Sequence, residues 1–374
     1  MKQLKYFFFL PVSIILISVS CTRNTDLAEQ SGNWIVRASL LGPARYKAVS
    51  FVLYDTAYIA TGYDGTYKYN DTYAFYCDAN NGYGAWTQKA SVPAPAPASG
   101  SGKLGRSNAT GFAVTLTSGL MKGYMATGLD GDANRMKDTW EYDPKADTWV
   151  QKLDFPERPD PNGNANGRYD ACGFGIGAKG YLTCGFNGNP LSDLWIFDPS
   201  VGTLGTWTQG TALPGFKRSG AVTFVYNNLG YICTGQNNTS TASVNDFWSY
   251  DPNGATGGLW TRLKDIANTS TDSYDDDYTD IVRSGAVAFV MNNASTPKAY
   301  LTTGQNGALT NKTWEYDFSS GYWARKTPYE RAARTGAVAF TVKGRGFVGT
   351  GSSNGQALDN FDEFFPTQTY NSVD

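Results

Sequence analysis

The chain of 374 residues contains no histidine. The commonest general base, the commonest transition-metal ligand and the usual switch between pH 5 and 8 are therefore missing. Acid–base chemistry would fall to Asp, Glu, Lys, Tyr or Cys. A basic excess is missing too: 31 Lys and Arg stand against 33 Asp and Glu, for a net charge of −2. Loss of Lys2 and Lys5 with a leader would leave 29 basic residues and a net charge of −4. Such a balance has no footprint for nucleic acid, which is not expected as a partner. No apolar run approaches the roughly 20 residues of a membrane-crossing helix. Cysteine is scarce, with five residues.

What is abundant is aromatic and small. Aromatics make up 14% of the chain and glycine 42 residues, with 41% hydrophobic and 17% charged residues overall. There is apolar material for a large core and no sign of global disorder. Many short strands joined by tight turns suit this mixture, because rings fill pleated surfaces and glycine supplies positive φ.

The N-terminus reads as a targeting segment. Lys2 and Lys5 precede a mostly apolar run from Tyr6 to Ser20, which ends in small residues, and Cys21 follows at once. This is the pattern of a signal peptide. Ile17-Ser18-Val19-Ser20-Cys21 resembles a bacterial lipoprotein box, departing from it at Ser18, where leucine is usual. The resemblance implies lipidation of Cys21 and an outer-membrane lipoprotein facing the periplasm or the cell surface. Acyl chains anchor by about 0.8 kcal/mol per buried CH₂. The alternative is ordinary signal cleavage with an incidental Cys21. The expected division is a signal peptide over 1–21, a tether over 22–32 and one folded domain over 33–374.

That domain is repetitive. Six segments open with Arg before small and β-prone residues, at Arg45, Arg106, Arg168, Arg218, Arg283 and Arg334, spaced by 61, 62, 50, 65 and 51 residues. Each opens one apolar run, and a second ends in a small residue plus glycine: Thr61-Gly62, Thr127-Gly128, Cys184-Gly185, Thr234-Gly235, Thr303-Gly304 and Thr350-Gly351. A third run alternates, as in Asp138-Thr139-Trp140-Glu141-Tyr142-Asp143-Pro144, and a fourth carries one Trp, at Trp86, Trp149, Trp207, Trp260 and Trp323. Asp-Pro and Gly clusters mark the turns, so each unit reads as four antiparallel strands, a to d.

This order of small-Gly turn, Tyr-Asp-Pro and Trp, at a period near 50, resembles the kelch repeat. The resemblance covers nearly all of 33–374 and implies an all-β, six-bladed β-propeller like the central domain of galactose oxidase. One departure is constant: Thr-Gly or Cys-Gly stands for the double glycine. A side chain at the first position suggests negative φ there. The ten tryptophans fall at two repeat positions, four in strand c and six in strand d if Trp34 is included, which suggests packing between neighbouring blades. Trp34 precedes Arg45 by eleven residues, as Trp207 precedes Arg218, and the sixth unit has no Trp of its own. The N-terminal strand is therefore expected to complete the last blade.

Alternation of strand direction puts the arginines, the b–c loops and the d–a connections on one face. The long connections there are Pro93–Gly105, Pro156–Gly167 and Asp265–Val282. Variable loops on one face of a repeat array commonly bind. Arg45, Arg106, Arg168, Arg218, Arg283 and Arg334 are the ligand-binding candidates, as a crown of donors suited to carboxylate or phosphate. In eukaryotic kelch adaptors, matching arginines contact acidic peptides. Their competing role is structural, tying strand a to the Asp at the start of strand c (Asp71, Asp138, Asp193, Asp246). The b–c loops carry Asn187-Gly188-Asn189, Gln236-Asn237-Asn238, Gln305-Asn306-Gly307 and Asn354-Gly355-Gln356. With Tyr63, Tyr67 and Phe186 they suit a carbohydrate, or they are plain turn chemistry. Asp275-Asp276-Asp277, with Asp272 and Asp280, lacks calcium-loop spacing and reads as a solvated loop, as does Asp130-Gly131-Asp132. Cys172 and Cys184 lie on adjoining strands but one residue out of register for a bridge, and Cys77 and Cys233 have no evident partner.

Function follows only as classes. The first expectation is a non-catalytic module binding an envelope protein or glycan, acidic ligands included, as a monomer without cofactor or metal. The second is a carbohydrate-processing enzyme resembling the exported sialic-acid mutarotases. A copper oxidase like galactose oxidase is excluded, since its histidine ligands cannot exist here.

Overall fold

The computed structural model describes residues 31–77, 82–93, 105–160, 162–164, 166–237, 244–292 and 296–373. The expected signal peptide, Cys21 and the tether up to residue 30 lie outside them. Ser31 and Gly32 are not tether: they hydrogen-bond the propeller at Thr327, Lys326 and Gln368.

Short strands, alternately buried in strand a and almost continuously buried in strand b, pair into six four-stranded antiparallel sheets. Blade 1 comprises Val49–Leu53, Thr56–Ala60, Thr72–Tyr76 and Ala85–Lys89. Blade 2 comprises Thr110–Thr115, Met121–Ala126, Thr139–Asp143 and Thr148–Lys152. Blade 3 comprises Cys172–Ile176, Lys179–Thr183, Leu194–Asp198 and Thr206–Gln209. Blade 4 comprises Val222–Tyr226, Leu229–Cys233, Phe247–Asp251 and Leu259–Arg262. Blade 5 comprises Val287–Met291, Lys298–Thr302, Thr313–Asp317 and Trp323–Lys326. Blade 6 comprises Val338–Val342, Arg345–Gly349 and Phe361–Phe365, with Asn33–Arg37 as its strand d.

Closure is by the chain's beginning, as the unpaired Trp34 position implies. Asn33 pairs Phe365 and Arg37 pairs Phe361, antiparallel and in register. This removes the open edge that strand c of blade 6 would otherwise show.

The core sits between blades and is built by repetition. In each blade the Trp of strand d lies 4.6–5.0 Å, ring to ring, from an aromatic of strand c: Phe75, Tyr142, Phe197, Tyr250, Tyr316 and Phe364. Its indole N–H crosses to the preceding blade: Trp149 donates to Ala90 O, Trp207 to Leu153 O, Trp260 to Thr211 O, Trp34 to Thr327 O and Trp86 to Ala38 O. One side chain thus supplies both apolar area and a directional inter-blade bond. The four cysteines Cys77, Cys172, Cys184 and Cys233 are free and buried. Cys172 faces Thr183 across the two-residue turn Gly177-Ala178, which is the register that denies it Cys184.

The small-Gly pairs correct an expectation. Thr61, Thr127, Cys184, Thr234, Thr303 and Thr350 have φ between +58° and +66°, not negative, and the following glycines have φ between +92° and +108°. The double positive φ turns each glycine N–H onto the carbonyl of the next blade's arginine, ending with Gly351 N–H to Arg45 O. Six identical inter-blade bonds over-determine the turn and hold the strain. The hydroxyls of Thr61, Thr127, Thr234, Thr303 and Thr350 are buried without a partner, so these threonines act as small fillers.

Candidate functional site

The residue after each arginine bridges the residue after each small-Gly pair: Tyr46 to Tyr63, Ser107 to Leu129, Tyr169 to Phe186, Ser219 to Gln236, Ser284 to Gln305 and Thr335 to Ser352. Strand-a entries and b–c loops therefore share one face, around the channel mouth.

The arginines are on that side but not available as a crown. Arg45, Arg106, Arg168, Arg218, Arg283 and Arg334 are at most 3% exposed. Arg45 is held bidentately by Asp71, Arg106 by Asp138, and Arg168 by both Asp193 and Glu157. Arg218 pairs with Asp246, Arg334 takes Asn360 Oδ1, and Arg283 has only carbonyls. Each also donates to the carbonyl of its small residue, from Thr61 to Thr350. A buried guanidinium so occupied fixes strand a to strands b and c. The ligand-binding assignment of these six is corrected to an architectural one. Asp193 shows the coupling: burial opposes its charge, and the Arg168 guanidinium more than offsets that, holding the carboxyl below its usual range.

The residues two beyond each arginine do face the channel. Lys47, Asn108, Asp170, Gly220, Gly285 and Gly336 have φ between +50° and +64°. Each donates its N–H to the carbonyl of its counterpart in the preceding blade, Lys47 to Gly336 closing the circle, at 2.7–3.1 Å. Six left-handed residues thus form a closed ring of six backbone hydrogen bonds. Blades 4 to 6 use glycine, which adopts this conformation freely. Blades 1 to 3 use polar side chains that meet: Lys47 Nζ lies 3.1 Å from Asp170 Oδ2, and Asn108 Nδ2 donates to Asp170 Oδ1 at 2.7 Å. Half of the mouth is a charged polar cluster and half is bare backbone, rimmed by Gln236, Ser284 and Gln305 around a cavity of about 270 Å³. The signal for this ring was Arg-x-Gly in three repeats, masked where Lys, Asn or Asp takes the glycine's place.

A larger hollow of about 770 Å³ adjoins it between blades 2 and 3. Asn134, Arg135, Lys137, Asn166, Tyr169 and Phe186 line it. Tyr169 and Phe186 are half-buried, with ring centroids 5.4 Å apart. Arg135 pairs with Asp160, whose carboxylate also caps Asn162 and Asn164. Tyr169 adjoins Asp170 in the chain, so hollow and mouth are continuous along one strand entry. Among the loop residues named from sequence, Phe186 lines the hollow and Gln236 and Gln305 rim the mouth. Asn354 and Gly355 are turn residues with positive φ, Asn187 is buried against Glu157, and Asn238 lies outside the described residues. Tyr63 stacks edgewise on Tyr46, and Tyr67 is exposed.

The acidic loop is only partly solvated. The carboxylate of Asp275 is buried and accepts from Thr269 N–H, Ser270 N–H and Lys264, organising the Asp265–Val282 connection. Asp130 likewise caps Asp132 and Asn134. Among the described residues no group of three His, Cys, Asp or Glu is placed to hold a metal ion.

No protein-family profile matches the chain, and no curated protein does. Among solved structures, YjhT is similar, with a TM-score of 0.62 at 17% identity over 87% of this chain and 95% of that one. At that identity the likeness establishes the six-bladed propeller and nothing finer.

Proposed function

We propose that the protein is a kelch-type propeller, carried as an envelope lipoprotein on Cys21, that binds a polar glycan-like ligand without transforming it. The kelch reading is supported by the double left-handed turn at Thr61-Gly62 and its five counterparts, a conformation two glycines adopt without strain. The observation that carries the binding reading is the hollow between blades 2 and 3. It brings together the rings of Tyr169 and Phe186, the residues Asn134 and Asn166, and the cations Arg135 and Lys137. A pyranose offers an apolar face to such rings and hydroxyls to such amides, and Arg135 and Lys137 favour acidic sugars. A glycan array probed with full-length protein in detergent tests it. Binding of acidic glycans that is lost in Tyr169→Ala is expected. An array without signal, or one unaffected by that substitution, refutes the assignment.

A second reading rests on the Lys47–Asp170 pair, the one acid–base couple at the channel mouth among the described residues. If it moves protons at a sugar, exchange spectroscopy will show anomer interconversion faster with protein than without. Equal rates leave the binding reading.

A further inference from the structure

Blade 5 departs from its neighbours at one buried point. In blades 2, 3 and 4 the first residue of strand c's approach is an aspartate whose carboxylate sits between two donors. Asp138, Asp193 and Asp246 each accept from the blade's arginine and from the indole N–H two residues on, at Trp140, Trp195 and Trp248, 2.6–2.8 Å away. Blade 5 keeps the arginine, Arg283, and the indole, Trp314, but places Lys312 where the aspartate belongs.

The consequences are visible in both donors. Trp314 is 2% exposed and its Nε1 has no partner. Arg283 is fully buried and its guanidinium meets only the carbonyls of Asp280, Ile281, Thr303 and Lys312. Burial accordingly pushes Arg283 down to about 10, in contrast to Arg168, raised by its two carboxylates. Close by, Arg325 lies over the Trp314 ring at 5.3 Å, and its buried Nε is also unpartnered. Asp280 lines this region with Arg283 but gives its carboxylate to Lys312 and Arg325, and Asp277 pairs with Arg325. Three cations thus meet two carboxylates, neither of which reaches Arg283 or Trp314. A cavity of about 250 Å³ opens beside Arg283 and Lys312.

We propose that this gap is a binding site for a small carboxylate, which enters beside Lys312 and accepts from Trp314 Nε1 and Arg283 where an aspartate does so in blades 2 to 4. The ligand supplies the charge the chain omits, and Lys312 at the entrance favours an anion over water. The site lies in blade 5, away from the hollow between blades 2 and 3, and does not depend on the reading of that hollow.

Full-length ¹⁵N-labelled protein in detergent has ten indole N–H signals to follow, and Trp314→Phe identifies one. Sodium acetate to about 100 mM, against sodium chloride at equal ionic strength, is expected to move the Trp314 signal downfield. It should also raise Tm by about 2 °C, as binding to the folded state alone requires. Lys312→Asp restores the missing carboxylate internally. It should show the shifted signal without acetate and no response to it. A Trp314 signal indifferent to acetate, an equal response to chloride, or an undiminished acetate response in Lys312→Asp overturns the proposal. If Lys312→Asp fails to fold, the wild-type titration against Trp314→Phe decides alone.

Discussion

Trp34→Ala isolates the contribution of the N-terminal strand to closure. Its indole is 1% exposed, lies 4.6 Å from Phe364 and 4.8 Å from Tyr329, and donates to Thr327 O. Truncating a buried Trp costs about 3–5 kcal/mol for transfer and residual cavity. The orphaned Thr327 carbonyl adds about 1 kcal/mol, so about 5 kcal/mol is expected. At about 2.1 cal/mol/K of unfolding entropy per residue, a domain spanning 33–374 changes by about 0.7 kcal/mol per degree. The melting temperature should then fall by about 7 °C in thermal denaturation followed by circular dichroism.

Trp149→Ala, at the same position of an internal blade, is the comparison. A chain-terminal strand that merely frays on and off would make Trp34→Ala far milder than Trp149→Ala. Closure makes the two alike. Deleting 32–42 should be worse than either, because it bares Phe364 and the backbone edge of Phe361–Phe365 to other molecules. The channel-side bond from Gly351 to Arg45 survives that deletion, so aggregation of a partly folded propeller is the expected outcome. A melting temperature within about 1 °C of wild type for Trp34→Ala would refute the argument.

Arg168→Met leaves Asp193 and Glu157 buried without their cation and should cost about 3–5 kcal/mol by urea titration; a neutral result would mean that these carboxylates protonate or hydrate freely. Asp193 has a folded-state pKa below its unfolded one, so its stabilisation is present above about pH 4 and lost as pH falls through the lowered value. Stability should therefore decline in acid, and with no histidine to titrate it should be level from about pH 5.5 to 7; a step there would contradict this. Cys184 and Cys233 are buried and pushed up by burial to about 11 and about 12, so a thiol reagent at pH 8 should label the four propeller cysteines only after unfolding. Replacing Lys47, Asn108 and Asp170 together by glycine should leave thermal stability unchanged or raised while reducing glycan binding. A loss above about 2 kcal/mol would show that the trio holds the fold.

The reasons why some of this could be read from the chain and some could not are physical. The Trp of strand d repeats because it fills area in every blade and, in five of the six, also bonds the previous blade through its indole N–H. Its sixth copy at Trp34 therefore revealed the closure. The arginines repeat as faithfully, and that constancy is what a shared architectural bond to the carbonyls from Thr61 to Thr350 produces, joined in four blades by a pair with Asp71, Asp138, Asp193 or Asp246. Burial, which separates that pairing from an open crown, is a property of the assembled blades rather than of any one repeat. The threonines before glycine misled for a related reason. Intrinsic preference argues against positive φ, yet six identical inter-blade bonds impose it at every copy.

Positions that depart from the repeat then carry the most information. Lys47, Asn108 and Asp170 occupy a left-handed site that three other blades give to glycine, at a cost of about 1–3 kcal/mol each. Their mutual contacts are half-exposed and worth little, about 0–1 kcal/mol for the Lys47–Asp170 pair. A fold that needed only the ring of backbone bonds would be better served by glycine throughout. The same logic applies to Lys312, which replaces an acceptor by a cation beside two buried donors. In both places the fold is maintained by its neighbours while the local choice works against it, which is where selection for something other than folding leaves its mark.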